Sequence, residues 1–283
     1  MVVAHDIDGI GDRMSIDAGG WRRHLVDKEL ARNTIDSYMY ALNDFAKMYS
    51  EVTKASVVEY KRDLMASGKT PKTINCRIGA LNQYAAWAGI RCGVKPIKTQ
   101  KQYSLDNVIT LEQKDALLDG LMADKDMQGW AMVSTLASTG VRVAELTQLR
   151  KTFVVDGWQT ISNKGKTRRV CCPQRLSESV SPYYESIGGP FLFFKHGTDG
   201  HAPISCRAVN YRLAKYAERY DIPRKVCHAH SFRHLFGKEF ARRNGNLTLL
   251  ADLMGHSSVA TTQIYTRMSE QEQKQTLDEV VRW

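Results

Sequence analysis

Between Trp21 and Gly89 apolar residues recur every three or four positions, which leaves the polar residues on the other side of each turn. Leu42, Phe45, Ala46 and Tyr49 form one such stripe, and Ile74, Ile78, Leu81, Tyr84 and Ala85 another. The pattern predicts four helices, near 15–29, 33–49, 54–67 and 71–88. Thr70 before Pro71 supplies a side-chain acceptor followed by a residue that needs no N–H partner in a first turn, and Asn33 before Thr34 and Asp36 offers a second cap. A small helical bundle over residues 15–90 is expected.

Residues 91–107 lose this period and include Gly93, Pro96 and several lysines, the composition of a linker. Beyond them 110–124 and 127–139 are again helical in pattern. The period then drops toward two: Thr152–Val155, Trp158–Ile161 and Arg169–Cys172 are short, β-branched or aromatic, and separated by Asp156-Gly157 and by Asn163-Lys164-Gly165-Lys166. They predict a three-stranded antiparallel sheet. Helical signals resume at 205–220, 230–244, 247–254 and 258–267, and Ser269 with Glu272 has capping-box spacing at the start of a last helix, 269–283. The expected fold is mainly α with a small antiparallel sheet: a bundle at 15–90, a linker at 91–107, and an α+β domain at 108–283, with residues 1–14 a flexible tail.

Composition narrows the function. At 283 residues, 43% hydrophobic and 25% charged, the chain suits one large or two ordinary globular domains. No run approaches 18 consecutive apolar residues and the acidic start does not resemble a signal peptide, so a soluble cytoplasmic protein without membrane contact is expected. The six cysteines form no C-x-x-C pair, against a zinc ribbon or a disulfide framework. The formal net charge of +10 favours a polyanionic partner. Residues 1–20 are net acidic, whereas 21–107 hold 15 basic and 8 acidic residues and 108–283 hold 24 and 18, so the excess is shared by both halves. A duplex gripped by two basic lobes fits that distribution better than a single basic tail does.

Five short stretches supply groups for phosphodiester transfer. They are STGVRVAEL with Arg142, ISNKGKTRRV with Lys164, HSFRH with His230 and Arg233, LMGHSS with His256, and TTQIYTR with Tyr265. The reaction needs a nucleophile, an acid for the leaving oxygen and positive charge on the non-bridging oxygens. The guanidinium forks of Arg142 and Arg233 suit bidentate phosphate contact, Lys164 at a hairpin tip suits proton donation, and the Tyr265 phenol suits nucleophilic attack. His230 and Arg233 lie one helical turn apart. Each has a plainer reading taken alone: Arg142 as a surface ion pair with Glu145, Lys164 to Arg169 as a solvated hairpin, Tyr265 as core. His230, His234 and the nearby Cys227 also suggest zinc, but H-S-F-R-H lacks the glutamate of the zincin pattern, so no metal or other cofactor is expected.

The order Arg, Lys, His-x-x-Arg, His, then Tyr nine residues later resembles the tyrosine recombinase family, the phage-integrase and Xer-type enzymes, over roughly residues 108–283. The helical 15–90 segment resembles that family's core-binding domain. The resemblance implies that Tyr265 attacks the scissile phosphate to form a 3′-phosphotyrosyl bond while Arg142 and Arg233 hold the non-bridging oxygens. It further implies that Lys164 protonates the 5′ leaving oxygen, His230 is base or proton relay, His256 hydrogen-bonds the phosphate, and Glu145 orients active-site groups. Double-stranded recombination sites would be clamped in a C shape. Four protomers would join two duplexes through a Holliday junction, with the C-terminal helix around Leu277, Val280 and Trp283 docking on the neighbouring protomer. Lys72, Thr73, Asn75 and Arg77 at the start of the fourth helix, and Lys166 and Arg168 in the hairpin, are expected DNA contacts; for the first four the alternative is plain exposed surface. The competing functions are a topoisomerase IB-like or telomere-resolving enzyme and a DNA-binding regulator that does not cleave. The chain before the bundle is expected to be too short for a further arm-binding domain.

Overall fold

The computed structural model describes residues 16–99, 107–163, 166–256, 258–266, 274 and 277–281. It divides into two compact units, residues 1–101 and 102–283.

Four helices make the first unit: α1 (Ala18–Asp27), α2 (Arg32–Ala46), α3 (Lys54–Ala66) and α4 (Pro71–Trp87). Their starts follow local chemistry. Thr70 accepts the Thr73 amide with Pro71 in the first turn, and Thr53 and Ser56 form a reciprocal capping box on α3. The expected Asn33 cap is not used: the cap position falls two residues earlier, at Ala31, with no side-chain hydrogen bond there. Of the predicted stripes, Leu42, Phe45, Ile74, Ile78, Leu81, Tyr84 and Ala85 face inward and are buried in one core with Trp21 and Tyr60, whereas Ala46 is exposed and Tyr49 only partly buried. Residues 92–98, expected to be linker, have no regular secondary structure but are tied to α4. Asn75 exchanges hydrogen bonds with the Ile97 backbone and Asn82 with the Val94 backbone, and Val94 is buried.

The second unit begins with α5 (Leu111–Ala123) and α6 (Met127–Thr139), which ends where Gly140 turns into the left-handed region. Two short helices follow, α7 (Val143–Leu146) and α8 (Lys151–Val155), then the hairpin β1 (Trp158–Asn163) and β2 (Lys166–Cys171). The described sheet therefore has two antiparallel strands, not three. Thr152–Val155 lies in α8 because Phe153 and Val154 are both buried while Val155 is exposed. Successive strand residues point to opposite faces, so only a helical turn sends two neighbours into one core. Helices α9 (Gln174–Glu185), which the sequence pattern did not reveal, α10 (Cys206–Arg219), α11 (Ala229–Asn244), α12 (Leu247–Met254) and α13 (Val259–Thr262) complete the unit, with a 3-10 turn at Gln263–Thr266.

The main core of this unit runs through Leu117, Met132, Leu136, Phe153, Phe193 and Phe232. A smaller apolar cluster joins Ala241, Leu250, Met254 and Tyr265, with Phe236 and Phe240 packed against it. Residues 277–280 are helical and Leu277, Val280 and Val281 are exposed; Ser269, Glu272 and Trp283 lie outside the described residues.

Candidate active site

The site is assembled on the end of α12. A helix C-terminus leaves carbonyls without intrahelical donors and carries the negative end of the helix dipole, so it attracts cations. Three consecutive carbonyls there each receive one guanidinium from a different element. Leu253 accepts from Arg168 of β2 at 2.6 Å, Met254 from Arg233 of α11 at 2.6 Å, and Gly255 from Arg142 before α7 at 3.0 Å. Gly255 is left-handed (φ 63°), and a Cβ there would collide with the Arg168 side chain.

Glu145 is the counter-charge. Its carboxylate takes Arg168 through Nε at 3.0 Å and Nη2 at 2.7 Å, Arg142 Nη1 at 2.9 Å, and the Arg142 amide at 2.7 Å, while only 2% of its side chain is exposed. Burial pushes the Glu145 carboxyl up, but the hydrogen bonds and charge of the two arginines outweigh it and hold the group down at about 2. Arg168, expected as a DNA contact, is held inside this cluster with 14% of its side chain exposed. The alternation of β2 places it there: Arg168 points inward to Glu145, and Arg169 points outward, its guanidinium 4.3 Å from the centre of the Trp158 ring.

Helix α11 contributes a single stripe. His230, Arg233, His234 and Gly237 are spaced i, i+3, i+4 and i+7 and share one face. Arg233 is nearly enclosed, with 2% exposed, and its fork spans the Gly140 carbonyl (2.5 Å) and the Met254 carbonyl. Burial and the neighbouring Arg142 bring its pKa down to about 10. His230 is exposed and its ring meets that of His234 edge-on, with centroids 4.2 Å apart.

Tyr265, on the 3-10 turn, is buried over this stripe. Its Oη lies 3.2 Å from His234 Nδ1, and its ring lies parallel to that of His256, 9° between planes and 6.3 Å between centroids. A Cβ on Gly237 would stand 2.6 Å from the Tyr265 ring, so a glycine is what lets the phenol seat there. Burial raises the phenol pKa, against the pull of Arg233 and Arg142. His256 shares a 2.8 Å hydrogen bond with the buried Thr262 hydroxyl. Burial, then Arg233, Arg142 and Arg168, lower its pKa to about 4.

Of the expected catalytic residues, Arg142, His230, Arg233, His256 and Tyr265, with Glu145, are brought together. Lys164 lies outside the described residues, between Asn163 and Lys166, which pair at the end of the hairpin. The expected DNA contacts on α4 divide. Lys72 is exposed and Thr73 shares a hydroxyl hydrogen bond with Thr70, but Asn75 holds the Ile97 backbone. Arg77 is ion-paired to Asp44, hydrogen-bonded to Tyr60 and set over the Tyr40 ring with 11% of its side chain exposed. Asn75 and Arg77 are therefore structural in this unit. Sequence reasoning missed His234, Thr262 and Gly237 as parts of the site. The first and last share the helical spacing of His230 and Arg233, a signal present in the sequence. Among the described residues no group of three or more His, Cys, Asp or Glu is arranged to hold a metal ion.

Residues 107–272 match the phage integrase family, and the chain belongs to it. It is 27% identical over 255 residues to tyrosine recombinase XerA of Pyrococcus furiosus, covering 88% of each chain. It is also 27% identical over 277 residues to tyrosine recombinase XerC of Xanthomonas campestris pv. campestris, covering 88% of this chain and 83% of that one. The fold resembles that of a lambda integrase tetramer bound to a Holliday junction, with a TM-score of 0.72 and 14% identity over 90% of this chain and 80% of that one. No helix among the described residues is long and apolar enough to cross a membrane.

Proposed function

We propose that this protein is a site-specific DNA recombinase that cuts and rejoins strands through a 3′-phosphotyrosyl intermediate at Tyr265. The observation that carries the reading is the convergence of Arg142, Arg233, His256 and Tyr265 around the three carbonyls that end α12. The membership of the phage integrase family and the likeness to Xer recombinases support it.

Tyr265 Oη attacks phosphorus and the bond to the 5′ oxygen breaks, so charge accumulates on the non-bridging oxygens and on the leaving group. Arg142, with 38% of its side chain exposed, meets the phosphate first. Arg233 is enclosed, with both arms of its fork on backbone carbonyls, and lies beside Arg142. His256 donates to a non-bridging oxygen, Lys164 supplies the proton for the leaving oxygen, and His230, open to solvent, relays protons. Rejoining runs the same steps backwards on a new 5′ hydroxyl, which conserves the ester bond. Fixed positive charge from side chains serves where a metal ion would otherwise stabilise the transition state.

The partners are double-stranded recombination sites, bound by both basic units as a tetramer on two duplexes that pass through a Holliday junction. The exposed Leu277, Val280 and Val281 support docking of the C-terminal segment on a neighbouring protomer. Integration or excision of a mobile element and resolution of chromosome dimers are the biological outcomes this chemistry serves.

A nicked suicide substrate tests the reading. The wild type forms a covalent protein–DNA adduct and Tyr265→Phe forms none; a wild type that binds the substrate without forming an adduct leaves a non-cleaving regulator. Relaxation of supercoils with no exchange between two sites would identify a topoisomerase-like enzyme instead.

A further inference from the structure

Within the proposed reaction, the polar group in direct contact with the nucleophile is one that the sequence motif did not assign. His234 Nδ1 is 3.2 Å from Tyr265 Oη, whereas His256 presents a parallel ring to the phenol and directs its own Nδ1 to Thr262. We propose that His234 is a catalytic residue, the first acceptor of the Tyr265 proton. As the bond from Oη to phosphorus forms and the bond from phosphorus to the 5′ oxygen breaks, the phenol proton passes to Nδ1 and the leaving oxygen takes a proton from Lys164. His234 returns its proton to Tyr265 when the phosphotyrosyl bond is broken in rejoining.

Three features suit His234 to this role. It sits one residue after Arg233 on the rigid α11 stripe, so its ring is fixed relative to the guanidinium that would hold the phosphate. The phenol has room to seat against it because Gly237 carries no side chain. Its neighbours give it a conditional basicity. Burial, and then His230, Arg233, His228 and His256, lower its pKa to about 4, so at neutral pH the ring is uncharged and able to accept. A phosphate diester held by Arg233 offsets the part of that lowering that comes from its charge, so the affinity of Nδ1 for a proton rises when DNA is in place. Tyr265 itself stays protonated in the resting site, since burial raises its pKa. The edge-on ring of His230, exposed to solvent, faces His234 as the next stage of the proton path.

This inference rests on the recombinase reading, and the experiment separates the two. Single-turnover cleavage of the nicked substrate is measured for the wild type, His234→Ala and His234→Asn, with DNA binding followed in parallel by gel shift and folding by thermal melting. Asparagine can hold the phenol by a hydrogen bond but cannot take its proton. Both variants are expected to bind DNA as the wild type does and to cleave about 100-fold more slowly or worse, the usual size of a lost general base. Replacing Tyr265 by 2,3-difluorotyrosine, whose phenol ionises more readily, is expected to restore at least about ten-fold in His234→Asn while changing the wild type little. Wild-type speed in His234→Asn, or a fluorotyrosine effect equal in variant and wild type, overturns the assignment of the base and leaves the recombinase reading intact. Absence of an adduct from the wild type overturns both. If His234→Ala melts early, His234→Asn and the fluorotyrosine comparison decide.

Discussion

At the scale of single residues, the site is governed by how Glu145 is shared. Its carboxylate is enclosed and answers two arginines, so removing it leaves Arg142 and Arg168 uncompensated beside Arg233. Loss of one member of a buried ionic group costs about 3–5 kcal/mol, and Glu145→Ala is expected to fall in that range by urea unfolding, with cleavage lost as well; a cost below about 1 kcal/mol would show that the cluster is not coupled. Acid stability follows from the same groups. A histidine whose pKa falls from 6.5 to about 4 on folding binds its proton first in the unfolded chain. The stability tied to His234 and His256 is therefore complete above about 6.5 and is lost as pH falls toward 4; that tied to Glu145 is lost later, between 4.5 and about 2. The urea midpoint should be lower at pH 5 than at pH 7.5, and His256→Asn should narrow that difference; an unchanged difference would place the acid sensitivity elsewhere. Residue types were legible here and partnerships were not. Arg142, Arg233, His256 and Tyr265 stood out by spacing, whereas Arg168 read as a surface charge because the glutamate it serves is 23 residues away in the chain.

At the scale of elements, α11 and the Tyr265 turn form one mechanical pair, because the phenol rests on the gap at Gly237. Gly237→Ala places a methyl group about where the ring now lies. Overpacking of this kind costs roughly 1–3 kcal/mol, and the low-cost escape is displacement of the turn. The expected outcome is a cooperative melt with adduct formation reduced at least about ten-fold, an effect of geometry on the attack. An adduct yield equal to the wild type would mean that Tyr265 leaves this seat before the chemistry begins. In the first unit, Thr70→Ala removes the acceptor for the Thr73 amide and should cost about 1 kcal/mol in thermal or urea unfolding. Helices with apolar stripes over several turns were readable, as α2 and α4 were, and the short α12 was readable too, whereas the twelve-residue α9, with Pro182 inside it, was not. The short α8 was misread. Five residues in α8 hold too few turns for a period to appear, and their β-branched content reads as strand until the core claims Phe153 and Val154 together.

At the scale of the whole molecule, charge and assembly set what can be tested. With basic excess in both halves, binding to duplex DNA should weaken steeply with salt, by about 0.9 in the log–log slope for each phosphate neutralised. Removing residues 270–283 is expected to leave binding of a single site in place and to abolish tetramer assembly on two, read by native gel or light scattering; undiminished assembly would refute exchange of the C-terminal helix. Relaxed cleavage by Lys164→Ala on a 5′-thio substrate, whose sulfur leaves without a proton, is the matching check on the general acid. The amino-acid sequence by itself determined the helical class, the basic character and the set of reactive side chains, because periodicity, net charge and motif order are properties of the chain read in one dimension. Only the tertiary structure decided which groups meet: that three arginines share the carbonyls ending α12, that Arg168 belongs to Glu145, and that His234 faces the phenol. Hydrogen bonds and ion pairs depend on ångström-scale distances between residues far apart in the chain, 113 positions for Arg142 and Gly255, and those distances exist only once the core has packed.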